Sequence, residues 1–305
     1  VPTALVHADA QASILSDGAR ALASEHDALA YRDLLFWAEA TQRSIRSWQR
    51  DLQAADDEHQ NIPGRLLALA GTARALALEM EFGFLLDPER KLLALGYLAP
   101  EGGLDESCYD LLASEARLAS FFAIAKNDVP ASHWFRLGRA VTPVGRGAAL
   151  ISWSGSMFEY LMPSLVMRAP AGSLLEQTSR LIVRRQIGYG ASLDIPWGVS
   201  ESAYGARDLE LTYQYSNFGV PGLGLKRGLS ENLVIAPYAT GLAAMVDPKA
   251  AMQNYAHLAT VGALGAYGFY EALDYTRIRL PEETDVVIVK AFMAHHQGMT
   301  IVAAA

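Results

Sequence analysis

Apolar residues recur at helical spacing along most of the chain. From Thr3 to about Ala55 they occupy one face and charged residues the other, which predicts one or two amphipathic helices. The acidic, polar run from Asp51 to Asn61 indicates a loop or boundary, and the Ala- and Leu-rich run from Arg65 to Met80 predicts a buried helix. We therefore expect a helical lead-in over residues 1–62 and the main domain over residues 63–305.

Strand signals are brief. Residues Glu81 to Leu98 hold two apolar runs around Asp-Pro-Glu-Arg-Lys, which predicts a β-hairpin. The run from Ser107 to Lys126 predicts a strong helix. Residues Ala148 to Arg168 begin strand-like and become helical after Ser154-Gly155. The intervening segment, Pro130 to Gly147, is predicted to be irregular.

Helices dominate the rest. Residues Ser173 to Ser192 predict an amphipathic helix with Ser173 as N-cap and Glu176 three residues later, as in a capping box. Two helices are predicted to form a hairpin at Asp247-Pro248. The apolar pattern from Val286 runs to Ala305 and predicts a last helix; without a closing cap, we expect a segment of a longer protein. The predicted fold class is mainly α, a toroid of helical hairpins with its site at one rim.

One stretch, Ile195 to Leu229, combines aromatic, acidic and glycine residues more densely than any other. Aromatic faces beside carboxylates in a glycine-bent loop suit a sugar, whose C–H faces stack on rings while its hydroxyls need fixed polar partners. The alternative is a structural loop whose aromatic residues belong to the core. The aromatic residues concerned are Trp197, Tyr204, Tyr213, Tyr215 and Phe218.

Composition and charge narrow the classes of function. With 305 residues and 51% hydrophobic residues, the chain has enough apolar residues for a large core. The formal charge of −8 argues against nucleic acid as a partner. The single cysteine, Cys108, excludes an internal disulfide and a cysteine-based zinc site. No run of about 18 uncharged apolar residues occurs, so we expect no membrane span in this segment.

Candidate acids are the carboxylates that lie among aromatic or apolar neighbours. Glycoside chemistry needs two, because one must protonate the leaving oxygen while the other attacks the anomeric carbon or activates water. Spacing alone selects no pair, and a buried acid can equally be half of an ion pair. The candidates are Glu115, Glu159, Glu201, Glu271 and Asp274.

Metal and cofactor sites are not expected. His295 and His296 are adjacent, so on a helix their side chains point about 100° apart, and no HExxH acid accompanies them. Hydrogen bonding to substrate or to a neighbouring loop is the preferred interpretation. Gly222-Leu223-Gly224 lacks the flanking strand and helix of a dinucleotide site. Trp153-Ser154-Gly155-Ser156 resembles a nucleophile elbow only superficially.

From about Asp105 onward the chain closely resembles the central glycoamylase-like region of bacterial cyclic β-1,2-glucan synthases, which is related to endo-β-1,2-glucanases. The first hundred residues resemble the lead-in of the same region. The motifs that carry the resemblance are YDLLASEARLASF (109–121), HWFRLGR (133–139), SWSGSMFEYLMPSL (152–165), PWGVSESAY (196–204), YQYSNFGVPGLGLKRGL (213–229), APYAT (236–240), YGFYEALDYT (267–276) and MAHHQGM (293–299).

The resemblance implies an (α/α)6 toroid with short β-hairpins and a retaining transglycosylase that closes linear β-1,2-glucan into a ring. Its alternatives are an inverting endo-β-1,2-glucanase-like hydrolase and a non-catalytic glucan-binding module. It also implies neighbours: a glycosyltransferase portion and a phosphorylase-like portion of one large integral protein, on the cytoplasmic side of the bacterial inner membrane. The implied partners are β-1,2-glucan and the other domains of that synthase.

The acids that match the family's catalytic pair are Glu115 in SEAR and Glu201 in SES. We interpret Glu201 as the acid/base, because a loop allows its protonation to be tuned, and Glu115 as the nucleophile, because a helix would hold it rigidly. The reverse assignment stays open. The residues expected to line the glucan groove are Glu271, Asp274, Glu159, Trp197, Tyr204, Tyr213, Tyr215, Arg139, Lys226, Arg227, His295, His296 and Gln297.

Overall fold

The computed structural model of the chain describes residues 3–26, 28–53 and 62–305. Contacts divide the chain into two compact units, Val1–Met80 and Glu81–Ala305. The sequence placed this boundary at residue 62, so the helix that follows belongs to the first unit and not to the main domain. Of the predicted loop from Asp51 to Asn61, residues 54–61 lie outside the described residues.

The first unit is helical. Helices α1 (Thr3–Glu25) and α2 (Leu29–Gln53) confirm the predicted amphipathic pattern. Exposed ion pairs, such as Arg20 with Glu39 at 2.8 Å, join them, although pairs of this kind contribute little stability.

The third helix, α3 (Ile62–Glu79), corrects one expectation. The sequence predicted a buried helix, but none of its residues is buried. Leu67, for example, is 75% exposed. Ala and Leu occupy every face of this helix, and their high helix propensity is enough to predict that a helix forms. Burial depends on a packing partner, which helix propensity does not reveal.

The second unit contains six α-helices among its described residues, besides short 3-10 turns. The predicted hairpin at Asp247-Pro248 is confirmed, because the Asp247 carboxylate accepts a hydrogen bond from the backbone of Ala250 and Pro248 is the first helical residue. The predicted cap is also confirmed, since Ser173 accepts from the backbone N–H of Glu176. The helices are α4 (Arg117–Ala125), α5 (Met157–Leu161), α6 (Leu174–Leu193), α7 (Pro237–Ala244), α8 (Pro248–Thr260) and α9 (Ala294–Ala304).

The strands of this unit are short and antiparallel. Hydrogen bonds join β1 with β4, β2 with β3, β5 with β6, β7 with β8 and β10 with β11, and β12 lies between β9 and β13. The strands are β1 (Leu93–Ala94), β2 (Tyr97–Leu98), β3 (Gly103–Leu104), β4 (Cys108–Tyr109), β5 (Val141–Val144), β6 (Gly147–Leu150), β7 (Ser202–Arg207), β8 (Tyr213–Ser216), β9 (Val234–Ile235), β10 (Leu264–Gly265), β11 (Gly268–Phe269), β12 (Ala272–Asp274) and β13 (Val287–Val289).

Two strand predictions need correction. The turn after Leu86 does bring that residue opposite Leu93, but only as an isolated bridge, and β1 pairs with the distant β4 instead. The segment after Val286 was predicted to be helical. Its first residues form β13, which pairs with β12, and the helix begins only at Ala294. Pairing with a strand distant in sequence overrides the local pattern in both cases.

The helix predicted from Ser107 to Lys126 begins only at Arg117. The residues before it leave helical geometry because the backbone of Leu112 bonds to the carbonyl of Gly138, and Ser114 accepts a hydrogen bond from the backbone of Ala116. Local bonds of this kind compete with a helix. Glu115 therefore lies in the turn that precedes α4 and is not held by a helix.

The core of the second unit lies between α5, α6, α7 and the β9–β12–β13 sheet. Its fully buried side chains include Leu161, Ile182, Leu242 and Leu273. Among the described residues, no helix combines the length and the apolar character that a membrane crossing requires. The toroidal arrangement stays a prediction.

Candidate active site

A cavity of about 660 Å³ opens in the second unit. Acidic groups and aromatic rings share its wall, together with small polar side chains. The lining residues that matter here are Tyr109, Ser114, Glu115, Trp153, Glu201 and Asn217. The structure therefore brings the two predicted catalytic acids, which are distant in sequence, to one cavity.

Glu115 is fixed by the residues around it. The Ser114 hydroxyl donates to its Oε2 at 3.2 Å. Arg117, which is 3% exposed, anchors the turn by donating to the carbonyls of Glu159 at 3.0 Å and Tyr160 at 2.7 Å. Burial lowers the pKa of Arg117 to about 10, which the Glu115 charge opposes, so the guanidinium remains charged at neutral pH. A buried cation thus takes the place of the predicted helix in holding Glu115.

Glu201 lies where the chain enters β7. Its backbone carbonyl accepts a hydrogen bond from the Tyr238 hydroxyl at 2.9 Å, and its Oε1 accepts one from the Tyr215 hydroxyl at 2.8 Å. Burial raises the pKa of the Glu201 carboxyl; the Tyr215 hydrogen bond opposes this rise, and the charges of Glu115 and Glu159 add to it. The pKa is raised on balance, as a general acid near neutral pH requires.

Glu159 also lines the cavity, but the neighbouring turn uses its carboxylate. That carboxylate accepts hydrogen bonds from the Ser152 hydroxyl at 2.6 Å and from the backbone of Ser154, Gly155 and Ser156 at 3.0 to 3.3 Å. With Ser156 it forms the capping box of α5. Burial raises its pKa, and the hydrogen bonds oppose that rise. Glu159 thus shapes the wall of the cavity.

Three predicted residues form a chain behind Glu201. The Tyr215 hydroxyl that contacts Glu201 also lies 3.4 Å from Nε2 of His296. Nδ1 of His296 lies 2.8 and 3.0 Å from the two carboxylate oxygens of Glu271. His296 and Glu271 are 1% and 2% exposed. Only Tyr215 of the three therefore offers surface to a ligand.

Asp274 belongs to a separate network, contrary to the prediction that it lines the groove. It is fully buried, and Arg279 donates to its two oxygens at 2.6 and 3.1 Å. The backbone of Gly205 donates to it as well, at 2.9 Å. The Arg279 guanidinium lies 4.8 Å from the ring centre of Tyr204. Asp274 and Tyr204 therefore fix β7 against β12.

Two more aromatic residues of the central stretch, Trp197 and Tyr213, are engaged in contacts with other parts of the protein. Trp197, predicted to contact glucan, is 7% exposed and belongs to the core, where its backbone exchanges two hydrogen bonds with the Asn254 side chain. Tyr213 stacks with Arg207, whose guanidinium lies 4.2 Å from the ring centre. For Trp197 the alternative weighed from the sequence, a core aromatic in a structural loop, is the one observed.

The predicted cations lie outside the wall of the cavity. Arg139 donates to the carbonyls of Leu137 and Trp134 in its own segment. Lys226 donates to the backbone carbonyl of Asn217 at 2.9 Å, and so holds a residue that does line the cavity. Arg227 is exposed and lines a separate pocket of about 160 Å³.

The last two predicted residues lie on α9. His295 is exposed, with its ring centre 4.0 Å from that of His296. Partial burial and the neighbouring His296 lower its pKa, against the opposing charge of Glu271. Gln297 donates to the carbonyl of Phe269 at 3.3 Å. Within the described ranges, no three His, Cys, Asp or Glu side chains converge as metal ligands.

Among the wall residues that the sequence did not single out are Tyr109, Trp153 and Asn217. Tyr109 is 37% exposed and Trp153 56% exposed. Burial and the Glu115 charge raise the pKa of the Tyr109 hydroxyl. All three lie within the quoted motifs, so a signal was present, but only the tertiary structure distinguishes exposed from buried rings.

Comparison with known proteins identifies the family of the chain. Residues 107–305 match the glycoamylase family, which is described as a putative glucoamylase. The match spans more than half of the chain, so the chain belongs to the glycoamylase family.

A particular relative is the cyclic beta-(1,2)-glucan synthase NdvB of Rhizobium meliloti strain 1021. It is 53% identical to this chain over 272 residues, which is 86% of the chain but 10% of the relative's length. The resemblance inferred from the motifs is confirmed. The chain thus spans a small part of a much longer relative.

Proposed function

We propose that this chain is a carbohydrate-active domain that cleaves linear β-1,2-glucan and transfers the fragment to its own distant end, with retention at the anomeric carbon. The observation that carries the proposal is the meeting of Glu115 and Glu201 in one cavity whose wall includes exposed aromatic rings. The family match and the name of the NdvB relative supply the substrate class. In the native protein, the domain would act beside other domains of a long synthase.

The reaction runs in two steps. In the first, Glu201 donates its proton to the glycosidic oxygen while a Glu115 oxygen attacks the anomeric carbon, so the glycosidic bond breaks and a glycosyl-enzyme ester forms. In the second, the Glu201 carboxylate accepts the proton of a glucan 2-hydroxyl, whose oxygen attacks the same carbon. The ester bond to Glu115 then breaks, and a new β-1,2 bond closes the ring.

The environments of the two acids favour this division of roles. The pKa of the Glu201 carboxyl is raised by burial and by nearby negative charges, so it holds a proton at higher pH than an ordinary carboxyl. Glu115 lies two residues from the buried Arg117 guanidinium, whose three backbone contacts fix the turn. Pairs of carboxyls in environments that differ in this way typically serve as acid and nucleophile.

The exposed rings supply positions for sugar units. Trp153 and Tyr109 line the same cavity as the two acids and keep open faces. Flat aromatic faces suit the C–H faces of glucosyl units, while Asn217 and Ser114 offer hydrogen-bonding groups. The predicted binding residues Trp197 and Asp274 are replaced in this proposal, because both are buried.

The test is turnover of linear β-1,2-glucan by Glu115→Gln and Glu201→Gln. Each replacement removes an ionisable carboxyl and leaves a side chain of about the same size. We therefore expect product formation to fall by roughly 10²–10⁴-fold while glucan binding persists. Glu282→Gln, which changes an exposed carboxylate, is the matched control and should retain activity.

Other outcomes would favour the alternatives. If the parent chain binds linear β-1,2-glucan without turning it over, and Trp153→Ala abolishes that binding, the chain is a binding module. If the Gln variants lose activity but the parent releases only linear products, the domain is an endo-hydrolase.

A further inference from the structure

A hydrogen-bonded chain extends from Glu201 into the interior. It passes from Oε1 of Glu201 to the Tyr215 hydroxyl at 2.8 Å and from there to Nε2 of His296 at 3.4 Å. It ends at Glu271, whose carboxylate lies 2.8 Å from Nδ1 of His296 and also accepts from the backbone of Ala203 at 3.2 Å. The inner members are shielded from solvent, so direct contact with glucan does not explain them.

The imidazole of His296 cannot turn freely. Its face stacks on the Tyr238 ring, with centroids 3.7 Å apart and planes 13° apart. The Tyr238 hydroxyl lies 2.8 Å from Ser200 and 2.9 Å from the backbone carbonyl of Glu201, which fixes that ring in turn. Since Nδ1 is held by Glu271, Nε2 must point at Tyr215.

The hydrogen bonds of this chain can be arranged in two ways, in which every donor faces an acceptor and all donor and acceptor roles between Glu201 and His296 are reversed. With His296 protonated, Nε2–H donates to the Tyr215 oxygen, and the Tyr215 hydroxyl donates to a Glu201 carboxylate. With Glu201 protonated and His296 neutral, the Glu201 hydroxyl donates to Tyr215, whose own hydrogen turns to Nε2. Reversing the direction of the bonds therefore accompanies the change in the protonation of Glu201.

We propose that Tyr215, His296 and Glu271 are positioning residues that couple the protonation of Glu201 to a buried imidazole, so that both its acid and its base forms have a matched hydrogen-bond partner. This inference rests on the proposed function of Glu201. It replaces the expectation that the buried His296 and Glu271 bind glucan. The two-step reaction needs such a device because Glu201 must give up a proton in the first step and accept one in the second.

The direction of the pKa change at Glu201 follows from the charged and titratable groups that face each residue of the hydrogen-bonded chain. Glu201 is faced by Glu115 and Glu159, whose charges raise its pKa, and by Tyr215 and His296, which lower it. The Glu271 carboxylate lies against Nδ1 of His296, and the positive charge that this imidazole carries in the first arrangement of hydrogen bonds stabilises ionised Glu201. The other groups that face the chain are the Tyr238 hydroxyl, on α7, and His295, on α9.

The first test is Tyr215→Phe, which removes one hydroxyl and keeps the ring. Losing the donor to the carboxylate raises the pKa of Glu201, and the first step requires protonated Glu201. The alkaline limb of kcat/KM for linear β-1,2-glucan should therefore move to higher pH by roughly one unit. Tyr255→Phe is the matched control, because it removes the buried hydroxyl of a tyrosine whose ring packs on Phe269 and not on His296. Its pH profile should keep the parent limb.

The second test adds Glu271→Gln, which keeps an acceptor for Nδ1 but removes the charge. Alone it should move the alkaline limb in the same direction. In the Tyr215→Phe background the further shift should be smaller, because the hydrogen-bonded path from Glu271 to Glu201 runs through the Tyr215 hydroxyl and only the charge of His296 still acts through space. Equal shifts in both backgrounds would mean that Glu271 acts independently of Tyr215.

A readout that needs no turnover completes the design. The carboxyl ¹³C resonance of Glu201, assigned by its loss in Glu201→Gln, should titrate at higher pH in Tyr215→Phe than in the parent chain. If the Glu201 resonance titrates at the same pH in both chains and the alkaline limb also stays in place, the coupling is overturned and Tyr215 is only a packing residue. Failure of the proposed function looks different: Glu201→Gln would then retain turnover.

Discussion

At the scale of single residues, the chemistry depends on the balance of forces on the proton of Glu201. Burial removes the carboxylate from water, and two further acids face it, so the pKa of Glu201 is raised. The Tyr215 hydroxyl and the His296 imidazole work in the opposite direction. A carboxyl whose pKa is balanced in this way can donate a proton in one step of the proposed reaction and accept one in the next. A carboxylate exposed to water does this less well.

Chemical rescue by azide tests the two roles separately, with an aryl β-1,2-oligoglucoside whose leaving group needs no protonation. In Glu201→Ala, azide should attack the glycosyl-enzyme and give the β-glycosyl azide, because no base is needed. In Glu115→Ala, azide should replace the missing nucleophile and give the α-glycosyl azide.

The configuration of each azide, read from the anomeric proton coupling, decides the assignment. Exchange of the two products would reverse the roles of Glu115 and Glu201. Absence of any glycosyl azide from both variants, with the parent active, would remove these residues from the reaction. Glu282→Ala with azide serves as the control and should give the parent products.

Part of the site was predictable from single residues. SEAR and SES pointed to Glu115 and Glu201, but the reason given for the rigidity of Glu115 was wrong, since Arg117 and not a helix fixes it. No local pattern reveals that Arg117 reaches the carbonyls of α5. In the same way, burial of Asp274 and Trp197 follows from contacts with residues distant in sequence.

At the scale of elements, two glycine-containing turns pack against each other and form one side of the cavity. A Cβ on Gly219 would lie 1.8 Å from the carbonyl oxygen of Ser154, and one on Gly224 would lie 2.5 Å from the carbonyl carbon of the same residue. The backbone of Val220 donates to the Gly155 carbonyl at this contact. This close approach gives a physical reason for the glycines of the central stretch.

Gly219→Ala should therefore force the two turns apart. We expect a loss of unfolding free energy of more than about 2 kcal/mol, together with lower glucan turnover, because the displaced turn carries Trp153 and the Glu159 hydrogen bonds. Urea unfolding followed by circular dichroism measures the change. Gly188→Ala, at an open helical position with no neighbour within 4 Å, is the control and should leave stability unchanged or higher. Equal stability of the two variants would contradict the close packing.

The elements that the sequence predicted well are those decided locally. The α7–α8 hairpin depends on Asp247 and Pro248, and the start of α6 depends on Ser173. The elements predicted wrongly are those that a distant segment decides, such as β1, which pairs with β4, and the turn before α4, which bonds to Gly138. Single-sequence patterns carry the first kind of information and not the second.

At the scale of the whole molecule, the proposed ring closure would require more than one cavity can supply. A cavity of about 660 Å³ has the size of a typical ligand pocket, so most of a long glucan must lie outside it. The distant 2-hydroxyl must still reach the glycosyl-enzyme before water, which is present at about 55 M, and this requires a large effective concentration. In the proposed reaction, Trp153 and Tyr109, the exposed rings of the wall, would hold the acceptor unit.

The most direct measurement of the central claim is the anomeric configuration of the first product formed from linear β-1,2-glucan, followed by ¹H NMR with methanol as a competing acceptor. Retention through a glycosyl-enzyme predicts the methyl β-glycoside, with a β reducing end appearing first in any hydrolysis product. An α reducing end formed first, with no methyl glycoside, would contradict the account and identify an inverting hydrolase.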